Sequence, residues 1–127
     1  MKSDGFRAAA EGKDFSAIEE LFAEDATFRS PAVFKPYEGR NTIAMILGTV
    51  VEVFEDFRYI DQVETGDTAV LVFEARVGDR ELNGVDVLRF DADARIEELM
   101  VMVRPMSGLQ ALAEAMGARL AAATGSG

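Results

Sequence analysis

Apolar residues recur at two different periods along the chain. Through the first third the spacing is helical. Phe6, Ala9 and Ala10 share one helix face, and Gly12 stops the run. A second helix is predicted from Asp14 or Ser16, because Ser16 with Glu19 matches a capping box and Phe15, Ile18, Leu21 and Phe22 form its stripe. A short strand over 26–30 ends at Pro31, and residues 31–39, with two prolines and a glycine, read as a loop. A longer helix is predicted over 41–54, its stripe made by Ile43, Ile46, Leu47, Val50, Val53 and Phe54.

The period then shortens to two. Turn signals at Thr65-Gly66-Asp67, Gly78-Asp79-Arg80 and Asp91-Ala92-Asp93 separate four runs rich in β-branched and aromatic residues. These predict an antiparallel meander over 56–65, 68–77, 81–91 and 95–104. Pro105 ends the last strand, Ser107 with Gln110 forms another capping box, and a final helix runs through Leu109, Leu112, Met116 and Leu120. Neither an internal repeat nor a linker is visible. The expected organisation is one α+β domain over 1–122 with a frayed tail over 123–127. Its architecture is a curved antiparallel sheet wrapped around N-terminal helices, cone-shaped with an internal apolar pocket.

Strand parity says which side chains point inward. One face of the second meander strand carries Leu71, Phe73, Ala75 and Val77. The inward faces of the next two carry Leu82, Gly84, Asp86, Leu88 and Phe90, then Leu99, Val101 and Val103. Candidate pocket walls are therefore Phe73, Leu88, Leu99, Val101 and Val103 from the sheet. Phe6, Phe28, Phe34, Met45, Phe54 and Phe57 are further candidates, each of which could equally be plain packing. Ser30, Tyr37 and Tyr59 are the candidate polar partners.

Asp86 is the one carboxylate in the middle of an apolar inward face. An unpaired buried carboxylate costs several kcal/mol, so its pKa is driven up, and such a residue is a candidate acid. Two alternatives stand beside that reading. Asp86 can be structural, accepting a bond from a tyrosine, Ser30 or a buried water. A register slip of one residue would instead put it in water.

Composition narrows the chemistry. The 127 residues include no Cys and no His, which removes thiol nucleophiles, imidazole bases and Cys/His zinc sites. Asp91-Ala92-Asp93 begins like a calcium loop, but no Glu closes it, so no metal and no cofactor is expected. With 13 basic and 23 acidic residues the net charge is −10, which repels phosphate backbones and anionic lipid. Nucleic acid and membrane are not expected partners. With no apolar signal run at the N-terminus, the chain reads as soluble and cytoplasmic.

The segments Asp14-Phe15-Ser16-Ala17-Ile18, Glu24-Asp25-Ala26-Thr27-Phe28-Arg29-Ser30-Pro31 and Tyr37-Glu38-Gly39 resemble the start of the nuclear transport factor 2-like superfamily. Asp86-Val87-Leu88-Arg89-Phe90-Asp91 with Ala94-Arg95-Ile96 resembles its third-to-fourth strand hairpin. The resemblance covers nearly the whole chain and implies the cone fold. That superfamily includes ketosteroid isomerases, SnoaL-like polyketide cyclases and limonene epoxide hydrolases. By resemblance, Asp86 matches the protonated acid of the isomerase oxyanion hole. The isomerase base position holds Ser30, however, and the oxyanion tyrosine position holds Phe6. The epoxide hydrolase Arg-x-Asp has Gly84 in place of Arg, and its second acid falls near Val101. The cyclases' His–Asp pair has no His to form it. The resemblance thus implies a fold and leaves each named activity incomplete.

Two functions follow. One is a pocket protein for a small, mostly apolar molecule, with Asp86 as candidate acid in isomerase, cyclase or hydratase chemistry. The other is a non-catalytic dimeric binding or scaffold module. The dimer is expected from the opposite strand face, where Val70, Val72, Val85, Val87, Met100 and Met102 make an apolar patch. The alternative is that the final helix folds back over that patch.

Overall fold

The computed structural model describes residues 1–123. Four helices run among them: α1 (Asp4–Glu11), α2 (Ile18–Leu21), α3 (Arg40–Val53) and α4 (Met106–Ala123). The strands are β1 (Phe22–Arg29), β2 (Tyr37–Glu38), β3 (Glu55–Thr65), β4 (Thr68–Val77), β5 (Arg80–Phe90) and β6 (Ile96–Arg104). They form one curved, open sheet of order β2-β1-β6-β5-β4-β3, so the fold is α+β. Only β1 and β6 pair in parallel; every other neighbour is antiparallel. No helix is long and apolar enough to cross a membrane among the described residues. Of the tail read as 123–127, Ala123 closes α4 and 124–127 lie outside the described residues.

The meander stands within a residue or so of its sequence-based limits because its turns are chemically specified. Gly66 has φ of 56° and Gly78 of 62°, a region where a β-carbon clashes. In the third turn Asp91 accepts from the Asp93 and Arg95 backbone N–H groups through Oδ1, which makes it a turn and not an ion loop.

Three local expectations are corrected. The second helix is four residues long and starts after Ala17, with no side-chain cap; Asp14 instead accepts from the Ser16 N–H. Phe22 and Ala23 then belong to β1, which starts four residues earlier than expected and is bulged between Phe22 and Thr27 against β6. Ser107 lies inside α4 and does not cap it: the Leu109 N–H donates to the Pro105 carbonyl, so the helix begins earlier.

Cross-strand register sets the two faces. Leu71, Asp86 and Val101 form one inward row across β4, β5 and β6, and Phe73, Gly84 and Val103 form the next. Leu82, Gly84, Asp86, Leu88 and Phe90 are all buried, whereas their sequence neighbours on β5 are not. A slip of one residue would invert this pattern, so the pairing places Asp86 inside. Burial of rings such as Phe22 and Phe73 stabilises the fold by about 2–3 kcal/mol each.

α3 lies over the concave face, burying Ile43, Ile46, Leu47, Val51 and Val53. α4 also packs on the concave side. A β-carbon at Gly108 would sit 2.8 Å from Leu82 Cβ and 2.9 Å from the Glu81 carbonyl oxygen, so glycine lets the first turn of α4 rest on β5. Among the described residues no helix lies over the convex face. Its rows are Val63, Val70, Val87, Met100 and then Asp61, Val72, Val85, Met102.

Candidate functional site

The curvature that brings α1, α3 and α4 over the sheet leaves a cavity of about 440 Å³ between them, a usual size for a small-molecule site. α1 contributes Phe6 and Ala10, and α3 contributes Ile46, Leu47, Val50 and Val51. α4 closes the opposite side with Leu109, Leu112, Ala113, Met116 and Leu120. The loop after β1 supplies Ser30, Pro31, Ala32 and Val33. The floor is aromatic. Phe57 packs edge-on to Tyr59 at 4.9 Å and lies 5.2 Å from Phe73, and Phe54 stacks on Phe57 at 5.5 Å.

Asp86 stands in this floor, 6% exposed. The Tyr59 hydroxyl donates to its Oδ2 at 2.7 Å. Among the described residues Oδ1 has no hydrogen-bond partner, and it is not sealed from the cavity. Burial pushes the Asp86 pKa up from 3.8 to about 7, with the Tyr59 bond holding it down. Burial first, then the neighbouring Asp86 charge, raises the Tyr59 pKa, so the phenol stays protonated and remains the donor. With Oδ2 accepting from Tyr59, Oδ1 is the oxygen left to carry the proton when the acid is neutral. Among the described cavity residues, burial thus brings the Asp86 carboxyl into the neutral pH range.

Gly84 shapes the same floor. A β-carbon there would lie 2.1 Å from Phe73 Cζ, so the ring occupies the volume that a side chain at 84 would take. Ser30 is committed to a local turn, its Oγ accepting from the Val33 N–H at 3.1 Å. Tyr37 stacks on Phe28 at 6.1 Å, half-buried at the wall.

The structure brings Phe6, Phe28, Ser30, Tyr37 and Phe54 to the cavity, together with Phe57, Tyr59, Phe73, Asp86 and Val101. Five other expectations are corrected. Phe34 is 96% exposed, because the loop bounded by Pro31 and Pro36 carries it outward. Met45 is 47% exposed, on the α3 face opposite the stripe of Ile43, Ile46, Leu47 and Val50. Leu88 and Leu99 are register partners buried at 0% exposure, and they pack in the core away from the cavity. Val103 is half-buried and packs against the core without lining the cavity. Sequence reasoning missed Ala10, Phe15 and the α4 stripe. That stripe was legible as amphipathic, but the side of the sheet it would cover was not.

The chain is thus a curved α+β sheet roofed by helices, with a buried acid in a mostly apolar cavity. The family model of the SnoaL-like domain matches residues 4–99, and the chain belongs to that family. A steroid delta-isomerase from Pseudomonas aeruginosa is similar at 49% identity and TM-score 0.93, over 98% of this chain and 92% of that one. A protein with a cystatin-like fold from Silicibacter pomeroyi is 34% identical with TM-score 0.86, over 90% and 81% of the two chains. A nuclear transport factor 2-like protein from Mesorhizobium loti, 20% identical over 82% and 88% with TM-score 0.73, shares the fold. None of the curated proteins matches the sequence.

Proposed function

We propose that the cavity binds a mostly apolar, uncharged small molecule, and that Asp86 performs acid–base chemistry of the isomerase kind on it. The free Oδ1 of Asp86 in a mostly apolar cavity carries this reading. Among the described residues no cationic side chain lines the cavity, so an anionic ligand would lie unpaired beside a carboxyl group. In its neutral form Asp86 donates a hydrogen bond to an acceptor on the ligand. An isomerase step with a single acid gives that proton to one ligand atom and, as carboxylate, takes a proton back from another. Asp86 ends protonated, and the ligand ends with a shifted double bond. A proton affinity near neutral pH suits both halves of that cycle. The resemblance to a steroid delta-isomerase at 49% identity supports the same reaction class.

The steroid isomerase pattern itself is incomplete here, because Ser30 is held in a turn and Phe6 has no hydroxyl. The proposal is therefore a proton shift on a different unsaturated ketone. The test incubates the protein with small unsaturated aryl ketones in deuterium oxide and follows label uptake by NMR. Wild type should introduce deuterium next to the carbonyl, and Asp86→Asn should bind without exchange. A standard ketosteroid should turn over negligibly; efficient turnover would sink this account. Among the described residues no second carboxylate lines the cavity, which favours one other reading, a non-catalytic binding module that ketone binding without exchange would establish.

The convex face belongs to the same proposal as an assembly surface. Ion-paired and hydrogen-bonded rows edge its apolar block: Arg58–Glu74 (2.8 Å) and Arg104–Asn83 (3.1 Å) at one end, Arg29–Glu98 (2.9 Å) at the other. An apolar centre with a polar rim suits a two-fold pairing of two copies.

A further inference from the structure

The Tyr59 that holds Asp86 is itself held, from the face of its ring. Arg7 on α1 places its guanidinium carbon 5.6 Å from the Tyr59 ring centroid, within cation–π range. That placement is built and not incidental. The Arg7 Nη1 donates to Gln62 Oε1 at 2.9 Å, and its Nε donates to Glu11 at 3.3 Å. Gln62 is fixed in turn, donating from Nε2 to Ser3 Oγ at 2.8 Å and to Asp4 at 3.0 Å. Ser3, wholly buried, donates its hydroxyl and its backbone N–H to Glu64. The start of α1 is thereby clamped to β3, with Arg7 pointing along the strand to Tyr59.

We propose that Arg7 is a positioning residue for the acid of the cavity, acting on Asp86 through Tyr59. A cation over the ring face draws electron density from the phenol and makes its hydroxyl a stronger donor. A stronger donor to Oδ2 favours the carboxylate of Asp86 over the acid, which sets the pH at which the pair changes state. Among the described residues three charged or titratable groups act on Tyr59. Arg7 from α1 lowers its proton affinity, whereas Glu11 from α1 and Asp86 from β5 raise it. Asp86 itself feels burial and the Tyr59 bond, with Tyr59 as the intermediary.

The proposal rests on Asp86 being the working acid, but its test needs no ligand. The side-chain carboxyl of Asp86 is followed by carbon-13 NMR across pH in the full chain. Arg7→Met should raise the Asp86 midpoint by about half a pH unit or more. Arg7→Lys, which keeps the charge, should restore much of the shift. Tyr59→Phe should raise the midpoint at least as far, and Arg7→Met added to it should move it no further. An unmoved midpoint in Arg7→Met, with Tyr59 and the fold intact by NMR, overturns the proposal. Additive shifts in the double variant overturn it too, because Arg7 would then act without Tyr59. Failure of the functional reading has a different signature: wild type would bind aryl ketones without deuterium exchange, or Asp86→Asn would exchange as wild type does, whatever Arg7 does to the midpoint.

Discussion

Replacing Asp86 by asparagine keeps the side-chain shape and a carbonyl oxygen for the Tyr59 hydroxyl, and it removes the titration. In the unfolded chain this aspartate loses its proton near 3.8, whereas in the folded chain burial keeps the proton up to about 7. Between those values the folded state binds more protons than the unfolded state, so stability falls as pH rises through that window. The favourable contribution is complete below the unfolded pKa and is lost once pH passes the folded one. A gap of roughly 3 pH units at ~1.36 kcal/mol each amounts to about 4 kcal/mol. Asp4, Asp14 and Glu64 have lowered pKa values and work in the opposite direction, so wild type alone shows a mixture. The difference between wild type and Asp86→Asn isolates the one group. Urea denaturation of both proteins at about pH 4.5, about pH 6 and about pH 8 supplies that difference. Wild type should lose about 3–4 kcal/mol relative to the variant across the range. A difference flat to within about 0.5 kcal/mol would mean that Asp86 is solvated or ion-paired, and the reasoning about the cavity acid would fail.

Two further outcomes follow from the sheet. Val87→Lys or Met102→Lys puts a charge into the convex apolar block and should split a dimer seen by light scattering at micromolar concentration without changing the circular dichroism; a wild-type chain that stays monomeric refutes the pairing. Gly84→Ala should force the Phe73 ring into the cavity, lowering stability by about 1–3 kcal/mol and weakening aryl ketone binding; a variant as stable as wild type, with unchanged binding, would show that the ring has room to move elsewhere.

The meander was legible because its signals are local. Glycines at the positive-φ turn positions and strict alternation on β4 and β5 specify pairing without any distant partner. Parity alone then put Asp86 inside. Tyr59 could be named only among candidates, because its meeting with Asp86 joins residues on non-adjacent strands of the sheet. Phe22 misled because a helical stripe and a strand start look alike over four residues, and the choice is made by β6, seventy-four positions on, where Ile96 pairs with it. Phe34 and Met45 misled for a simpler reason. An apolar side chain in a loop or on a helix carries no mark of the side it will face until the sheet's curvature is known.

The parallel seam between β1 and β6 also has a bearing on synthesis. Residues 22–29 leave the ribosome about seventy residues ahead of their long sheet partner at 96–104. Until then β1 has only the two-residue β2 beside it, while β3, β4 and β5 zip together as they appear. The nascent chain thus waits with an apolar edge unpaired, and its closing contact is of high sequence separation, the slow and aggregation-exposed kind. Glu24, Asp25 and Arg29, all exposed on that early strand, put charges on the edge that has to wait.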